Sequence, residues 1–447
     1  MKPFQETSGR ANEPLFSRLI FEKPRSDIPI TSIYVFCDIG SVHEPANMRG
    51  VAHFIEHMCF KGTKKIPNAK DVLNAYNKIG ASFNAYTDKR LTCYSVKCQD
   101  EYDAHSLSIL SDMMLHSTFP EREFQKEYKV VAEENIISEN DSETVLLHES
   151  EKIVYAGSAY GTPIDCSEYH KAVPLKYKDV VDFYNAHYIP SNMVVSVVSN
   201  LSLSVIKRMV AATDFMKKRK SVLSHSNRTL QFGIQPQTGI QYKLIHKKGV
   251  SDIILFITFK TCSHSHSDKY PLNLLRRIIG GELSGRLFML LREDNGLTYS
   301  SGADTEYLEH LGSFLIRAET DRTKILKNKK KKGVIPVIVE MIVDLIKHGV
   351  NQSELDIAKI NMKNRLITHL EDNDTLAEYN GEHMILYGSP PTVLYKDQYD
   401  AFYKNITREQ IHDVIKRYFT PEYMSVCLLG EHLPTEASVK TMFRVLG

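Results

Sequence analysis

Several absences narrow the sequence before any motif is considered. No uninterrupted apolar run approaches the roughly 20 residues that cross a bilayer. The nearest, Gly333 to Ile346, is broken at helical spacing by Glu340 and Asp344 and reads as an amphipathic core helix. The first thirty residues hold Glu6, Glu13 and Glu22 and no sustained apolar stretch, unlike a secretory signal or an acid-poor transit peptide. Charge of one sign is also missing: the formal net charge is +2 with 25% charged residues, so no strong field favours nucleic acid or a membrane. Paired cysteines are absent as well. The seven present (Cys37, Cys59, Cys93, Cys98, Cys166, Cys262 and Cys427) are odd in number, scattered and without a CxxC pair, which fits a reducing compartment. These absences lead us to expect a soluble, cytoplasmic, globular chain. Its 447 residues exceed one ordinary core and suit two domains of about 200 residues each.

What is present centres on Gly50-Val51-Ala52-His53-Phe54-Ile55-Glu56-His57-Met58. As a helix, this stretch puts His53 and His57 one turn apart on one face, with Glu56 beside them. Two neutral imidazoles can hold a zinc ion, and a non-ligating carboxylate next to them can take a proton from the attacking water. A catalytic zinc wants a third protein ligand. The acidic stretch Glu127-Tyr128-Lys129-Val130-Val131-Ala132-Glu133-Glu134 offers one: Glu127 and Glu134 are two helical turns apart on a shared face, and Glu133 is turned away. Of the two, Glu134 is expected as the third ligand, with Glu127 behind it orienting a ligand or sharing a proton. Otherwise the two stretches are an amphipathic helix with incidental histidines and a solvated acidic helix. Cys59, two residues past His57, points off the ligand face and is expected in the core.

Four stretches together carry a resemblance: GSVHEP from Gly40, GVAHFIEHMCFKGT from Gly50, FNAYTDKRLTCYSV from Phe83, and the Glu127/Glu134 pair. The sequence resembles the inverted-motif (HxxEH) zinc peptidases of the insulinase and pitrilysin family, whose shorter members include mitochondrial processing peptidase and bacterial relatives. The resemblance implies one zinc ion per chain on His53, His57 and Glu134, with Glu56 as general base. It also implies that the Phe83–Thr87 strand is an edge onto which an extended peptide adds, so Phe83, Asn84 and Ala85 are expected to bind substrate. In the second half, LFMLLREDNGLTYSSGA resembles the family's arginine–tyrosine signature. That places Arg292 and Tyr299 near the scissile bond, where a guanidinium and a phenol suit a developing oxyanion.

An internal repeat shows the architecture. The segment from Leu175 aligns without a gap on that from Ile406, an offset of 406 − 175 = 231, each reading as amphipathic helix, proline turn and buried strand. The expected fold is α+β, two homologous sandwich-like halves, each a mostly antiparallel sheet covered by helices. The expected divisions are a metal-binding domain at 1–212, a linker at 213–240 and a second domain without a metal site at 241–447. The stretch from His148 to Pro174 reads as a loop-bearing helical connection without chemistry. His264 and His266, and the lysine run from Lys327 to Gly333, read as solvated loops.

The activity expected is zinc-dependent endoproteolysis of extended or unfolded peptides. The alternative is a non-catalytic scaffold or assembly subunit of the same fold, against which the intact ligand set weighs. Long family members enclose substrate between two clamshell halves. A chain the length of one half is therefore expected to pair, as a homodimer or with a related subunit. The glycine-rich loop of non-catalytic processing subunits is not evident.

Overall fold

The computed structural model describes residues 18–165, 175–217, 237–281, 284–298, 300–326 and 332–446. Two compact units emerge, each built on a five-stranded sheet. The first sheet contains β1 (Leu19–Glu22), β2 (Ile30–Cys37), β3 (Ser82–Thr87), β4 (Thr92–Gln99) and β5 (Met193–Val198). The second contains β6 (Gln241–His246), β7 (Asp252–Thr261), β8 (Ser300–Tyr307), β9 (Gly312–Asp321) and β10 (Met424–Gly430). Their strand orders are β1-β5-β2-β4-β3 and β6-β10-β7-β9-β8. In each, only the pairing at one margin, β1 with β5 or β6 with β10, is parallel. The second order is the first with every number raised by five, so the halves share one topology.

The helices of the first half are α1 (Val51–Cys59), α2 (Ala69–Asn77), α3 (Asp103–His116), α4 (Glu121–Asn140), α5 (Ser142–Val154), α6 (Tyr177–His187) and α7 (Leu203–Ala211). Those of the second are α8 (Lys269–Gly280), α9 (Val334–His348), α10 (Gln352–Thr368), α11 (Asn373–Tyr387), α12 (Arg408–Tyr418) and α13 (Glu436–Phe443). The repeat offset of 231 survives in the elements themselves: α6 and α12 begin at 177 and 408, and β5 and β10 at 193 and 424. Each strand after the repeat's proline turn is wholly buried, as its run of apolar residues requires.

The compact units do not coincide with the expected divisions at 212 and 241. One gathers the described residues of segments 1–137, 162–230 and 366–397; the other those of 138–161, 231–365 and 398–447. The difference comes from two exchanged helices. α5, from the first half of the sequence, covers the second sheet: its Leu146 packs with Ile254, Phe256, Cys427 and Leu429, and its Ser150 hydroxyl meets that of Thr258 at 3.1 Å. α11, from the second half, covers the first sheet, with Ile385 against Ile20, Phe36 and Val194, and with Leu376 and Ala377 against Val198. Polar bonds fix it there. Ser32 donates to Asp374 at 2.6 Å, Asn380 to Glu22 at 2.8 Å and Tyr86 to Glu378 at 2.9 Å. The helical part of the connection expected after His148 is the end of α5, an element the second core needs. The expected linker lies largely outside the described residues.

The other face of the first sheet carries the larger core, where α1, α2, α3, α4 and α6 bury Phe54, Met58, Tyr76, Leu107, Phe124 and Tyr184. Among the described residues no helix is long and apolar enough to cross a membrane. The six described cysteines are buried and form no disulfide with one another, and burial pushes the Cys59 thiol up to about 12. Cys166 lies outside the described residues. His264 is buried rather than solvated, and its backbone N–H donates to the Leu308 carbonyl.

Candidate metal centre

α1 begins abruptly. Gly50 sits in the left-handed region at φ 84°, a conformation that favours glycine, and from it the chain turns directly into the helix. The freed amides of the first turn are taken by Glu44, whose carboxylate accepts from the Gly50 and Ala52 N–H groups, each at 2.8 Å. Burial pushes the Glu44 carboxyl up to about 8, against the pull of those two amides. Along α1, Val51, Ala52, Phe54, Ile55, Met58 and Cys59 are buried, and this apolar stripe fixes the rotation of the helix. His53 and His57 fall on its half-buried margin. α4 packs alongside, with Phe124 edge-on to Phe54 at a centroid distance of 4.9 Å.

This packing brings the two helices' donors together. His53 Nε2 and His57 Nε2 are 3.2 Å apart. Glu134 Oε2 lies 3.4 Å from the latter and 4.0 Å from the former. These three residues form a group of potential metal ligands whose donor atoms all lie within 4.8 Å of one another, the only such group among the described residues. With zinc–ligand bonds of roughly 2.0–2.1 Å, tetrahedral geometry sets ligand atoms about 3.3–3.5 Å apart. The 3.4 Å separation falls in that range, the 3.2 Å one just below it, and the 4.0 Å one between His53 and Glu134 lies above it. Glu133 is exposed on α4, turned from the group.

Behind the donors, His57 Nδ1 donates to Glu127 Oε1 at 2.8 Å, which leaves Nε2 as the lone-pair nitrogen facing His53 and Glu134. Lys61 holds the other oxygen of Glu127 at 2.6 Å. Burial raises the Glu127 carboxyl, but the bonds from His57 and Lys61 outweigh it and the net shift is downward. For His57, burial disfavours the cation, yet the bond to Glu127 and the charges of Glu134, Glu56 and Glu127 prevail and raise its pKa. The field that favours a proton there also favours a metal cation.

Glu56 is buried, and burial is the main reason its carboxyl is raised; the Thr87 bond and His57 oppose the shift, and Glu134 adds to it. Its Oε2 accepts from the Thr87 hydroxyl at 2.7 Å. Thr87 ends β3, the last strand of the first sheet. On that strand Phe83 stacks on Tyr76 at 4.7 Å and Asn84 is exposed. Side chains alternate across a strand. Phe83, Ala85 and Thr87 therefore face α1, and Asn84 and Tyr86 face α11.

Arg292 belongs to the second compact unit, exposed on a π-helical turn (Phe288–Glu293), with its guanidinium 5.2 Å from the Phe288 ring centre. Tyr299 lies outside the described residues. Three residues that the motif reading passed over join the centre: Glu44, Lys61 and Thr87. Lys61 continues the one-turn series 53, 57, 61, so spacing alone could have suggested it. Glu44 and Thr87 reach α1 through a loop and a hairpin, whose paths no periodicity encodes.

The duplicated α+β chain, with HxxEH on one helix and a carboxylate from a second, has the make-up of an inverted-motif metallopeptidase. Comparison with known families agrees: residues 23–168 match the profile described as Insulinase (Peptidase family M16), and residues 174–362 that described as Peptidase M16 inactive domain. The chain belongs to the insulinase family, peptidase family M16. It is 30% identical over 392 residues to YmxG of Bacillus subtilis, named an uncharacterized zinc protease, covering 88% of this chain and 91% of that protein. A Rickettsia felis protein, also named an uncharacterized zinc protease, is 27% identical, covering 80% of this chain and 84% of its own. Among solved structures, a protease from Helicobacter pylori shares the fold with a TM-score of 0.81 at 22% identity, covering 92% of this chain and 96% of that one.

Proposed function

We propose that the chain is a zinc-dependent endopeptidase acting on extended peptides or unfolded protein segments. One observation carries the reading: three potential ligand atoms from two helices converge within 4.8 Å of one another, and the buried Glu56 stands beside them outside the donor set. His53, His57 and Glu134 would hold one zinc ion per chain. Bound there, zinc supplies Lewis acidity that acidifies water and polarises a carbonyl. Glu127 fixes the His57 ring and its tautomer, and Lys61 fixes Glu127.

Glu56 takes the proton of the attacking water and returns it to the leaving amine. A carboxylate in a desolvated position is well suited to hold that proton between the two steps. A peptide adds along β3, bonding to the strand's backbone at Phe83 and Ala85, while Asn84 projects to the opposite face of the sheet. Arg292 and Tyr299 assist at the oxyanion or the substrate backbone, contributed by the same chain or by a partner in a homodimer or a heterodimer with a related subunit.

The test is cleavage of an unfolded, internally quenched peptide library by the metal-loaded chain. Hydrolysis is expected to stop with a chelator and return with zinc, and Glu56→Gln is expected to keep zinc while losing turnover. Full turnover by Glu56→Gln would refute the reading.

A further inference from the structure

The hairpin that carries the substrate strand closes with the Asp88 N–H donating to the Leu91 carbonyl at 2.8 Å. Antiparallel ladders alternate bonded and non-bonded pairs. The next pair, Thr87 with Thr92, is therefore non-bonded, Tyr86 with Cys93 is bonded, and the alternation continues through Ala85 with Tyr94 and Phe83 with Val96. It follows that Phe83, Ala85 and Thr87 turn their backbone N–H and C=O groups away from β4, toward the margin of the sheet. The same three residues direct their side chains toward α1. At the end of the series, Thr87 gives its hydroxyl to Glu56 Oε2.

Resting on the peptidase reading above, we infer that Thr87 is a positioning residue for the reaction, joining the edge that grips the peptide to the base that acts on it. Its backbone offers the last outward-facing amide and carbonyl of β3 to an added strand, and its side chain holds one oxygen of Glu56. The other carboxylate oxygen is left for the attacking water. The peptide's register on β3 and the aim of Glu56 are thus set by one residue. A peptide paired through Thr87 cannot shift along the strand without changing its position relative to the carboxylate. On the opposite face, the neighbouring Tyr86 is tied to Glu378 of α11 at 2.9 Å, so the strand end is held from both sides. The hydroxyl donates to a charged acceptor in a half-buried setting, where such bonds matter more than neutral ones.

Valine is the informative replacement because it keeps the β-branched shape and the backbone pairing and removes only the donor. Thr87→Val is expected to lower kcat about 10- to 100-fold, the loss of one bond to a charged group, with KM changed by no more than about twofold. Zinc affinity, read by chelator competition, and peptide affinity, read by fluorescence anisotropy in a Glu56→Gln background, are expected to stay at the parent values. Thr87→Ser restores the hydroxyl and is expected to recover kcat to within about threefold of the parent. Unchanged kcat in Thr87→Val would overturn the inference. So would a parallel loss of zinc and peptide binding that serine does not rescue, because that pattern marks a merely structural threonine. If Thr87→Val is fully active while Glu56→Gln is silent, the Thr87 inference alone falls. If Glu56→Gln itself turns over, the peptidase reading falls first.

Discussion

Glu44 shows what a single buried carboxylate does for the metal helix. Two amides at the start of α1 have no partner within the helix, and both close on its oxygens. Replacing Glu44 with glutamine puts an NH₂ group where one acceptor stood, so an N–H meets an N–H in a buried site. A loss of about 1–3 kcal/mol, the usual consequence of an unsatisfied buried group, is expected and is measurable as a lowered denaturant midpoint. Lys61 and Glu127 act at one remove from the donors through the His57 ring. Glu127→Gln and Lys61→Met are each expected to weaken zinc binding, with Glu127→Gln in the range of about 10–100-fold seen for such supporting partners. Chelator competition reads the effect directly, and an unchanged affinity would mean that His57 keeps its orientation without help. Local spacing made His53, Glu56 and His57 readable in the sequence because one helical turn determines all three. The seven-residue interval of Glu127 and Glu134 placed both on one face of α4, but which of them faces the two Nε2 atoms and which lies behind the His57 ring depends on how α4 crosses α1. Phe54 and Phe124 set that crossing, and no spacing rule contains it.

At the scale of elements, the exchanged helices are the main departure from expectation. Apolar periodicity marks α5 and α11 as helices with a face to bury, yet it is silent on which sheet receives that face. The choice is made by particular contacts. Gly381 of α11 lies so close to Phe36 of β2 that an added Cβ would fall 2.0 Å from Cε2 of the ring. Alanine improves helix propensity by about 0.5–1 kcal/mol. Here it is expected to destabilise instead, since forcing a methyl into a packed core costs about 1–3 kcal/mol. A thermal melt of Gly381→Ala decides the sign. The same helix contributes a pH response. Glu382 is pushed up to about 7, first by burial and further by Glu378 and Asp88, with the Tyr86 bond opposing. A folded carboxyl raised above its unfolded value binds a proton that the unfolded chain has released, so this contribution to stability is full below about 4.5 and is lost as pH rises through about 7. Glu382→Gln removes that titration. Its stability is expected to fall less than the parent's between pH 5 and roughly 8, as denaturation across that range would show.

For the whole molecule, the repeat at offset 231 and the two sheets of matching order describe a duplication in which only the first half carries the HxxEH stretch. The repeat was readable because it preserved helix, turn and buried strand without a gap. The reciprocal exchange was not, because each exchanged helix looks local in sequence and is distant in use. A fragment ending at residue 212 would lack α11 and leave the β2–β5 face of the first sheet bare. Expressed alone it is expected to aggregate or bind a hydrophobic dye, and supplying the 366–397 segment is expected to relieve this. A well-folded, monodisperse 1–212 fragment would show that α11 is dispensable. If sites are shared between paired chains, mixing Glu56→Gln with Tyr299→Phe protein restores part of the activity, whereas sites complete within one chain gain nothing from mixing. The central claim is that one zinc ion is clasped by α1 and α4 while Glu56 stays outside the donor set. Zinc affinity, measured by chelator competition across His53→Ala, Glu134→Gln, Glu133→Gln and Glu56→Gln, tests it most directly. The expected result is a collapse of binding in the first two and parent-like affinity in the last two; equal loss in Glu56→Gln, or retention in Glu134→Gln, would contradict it.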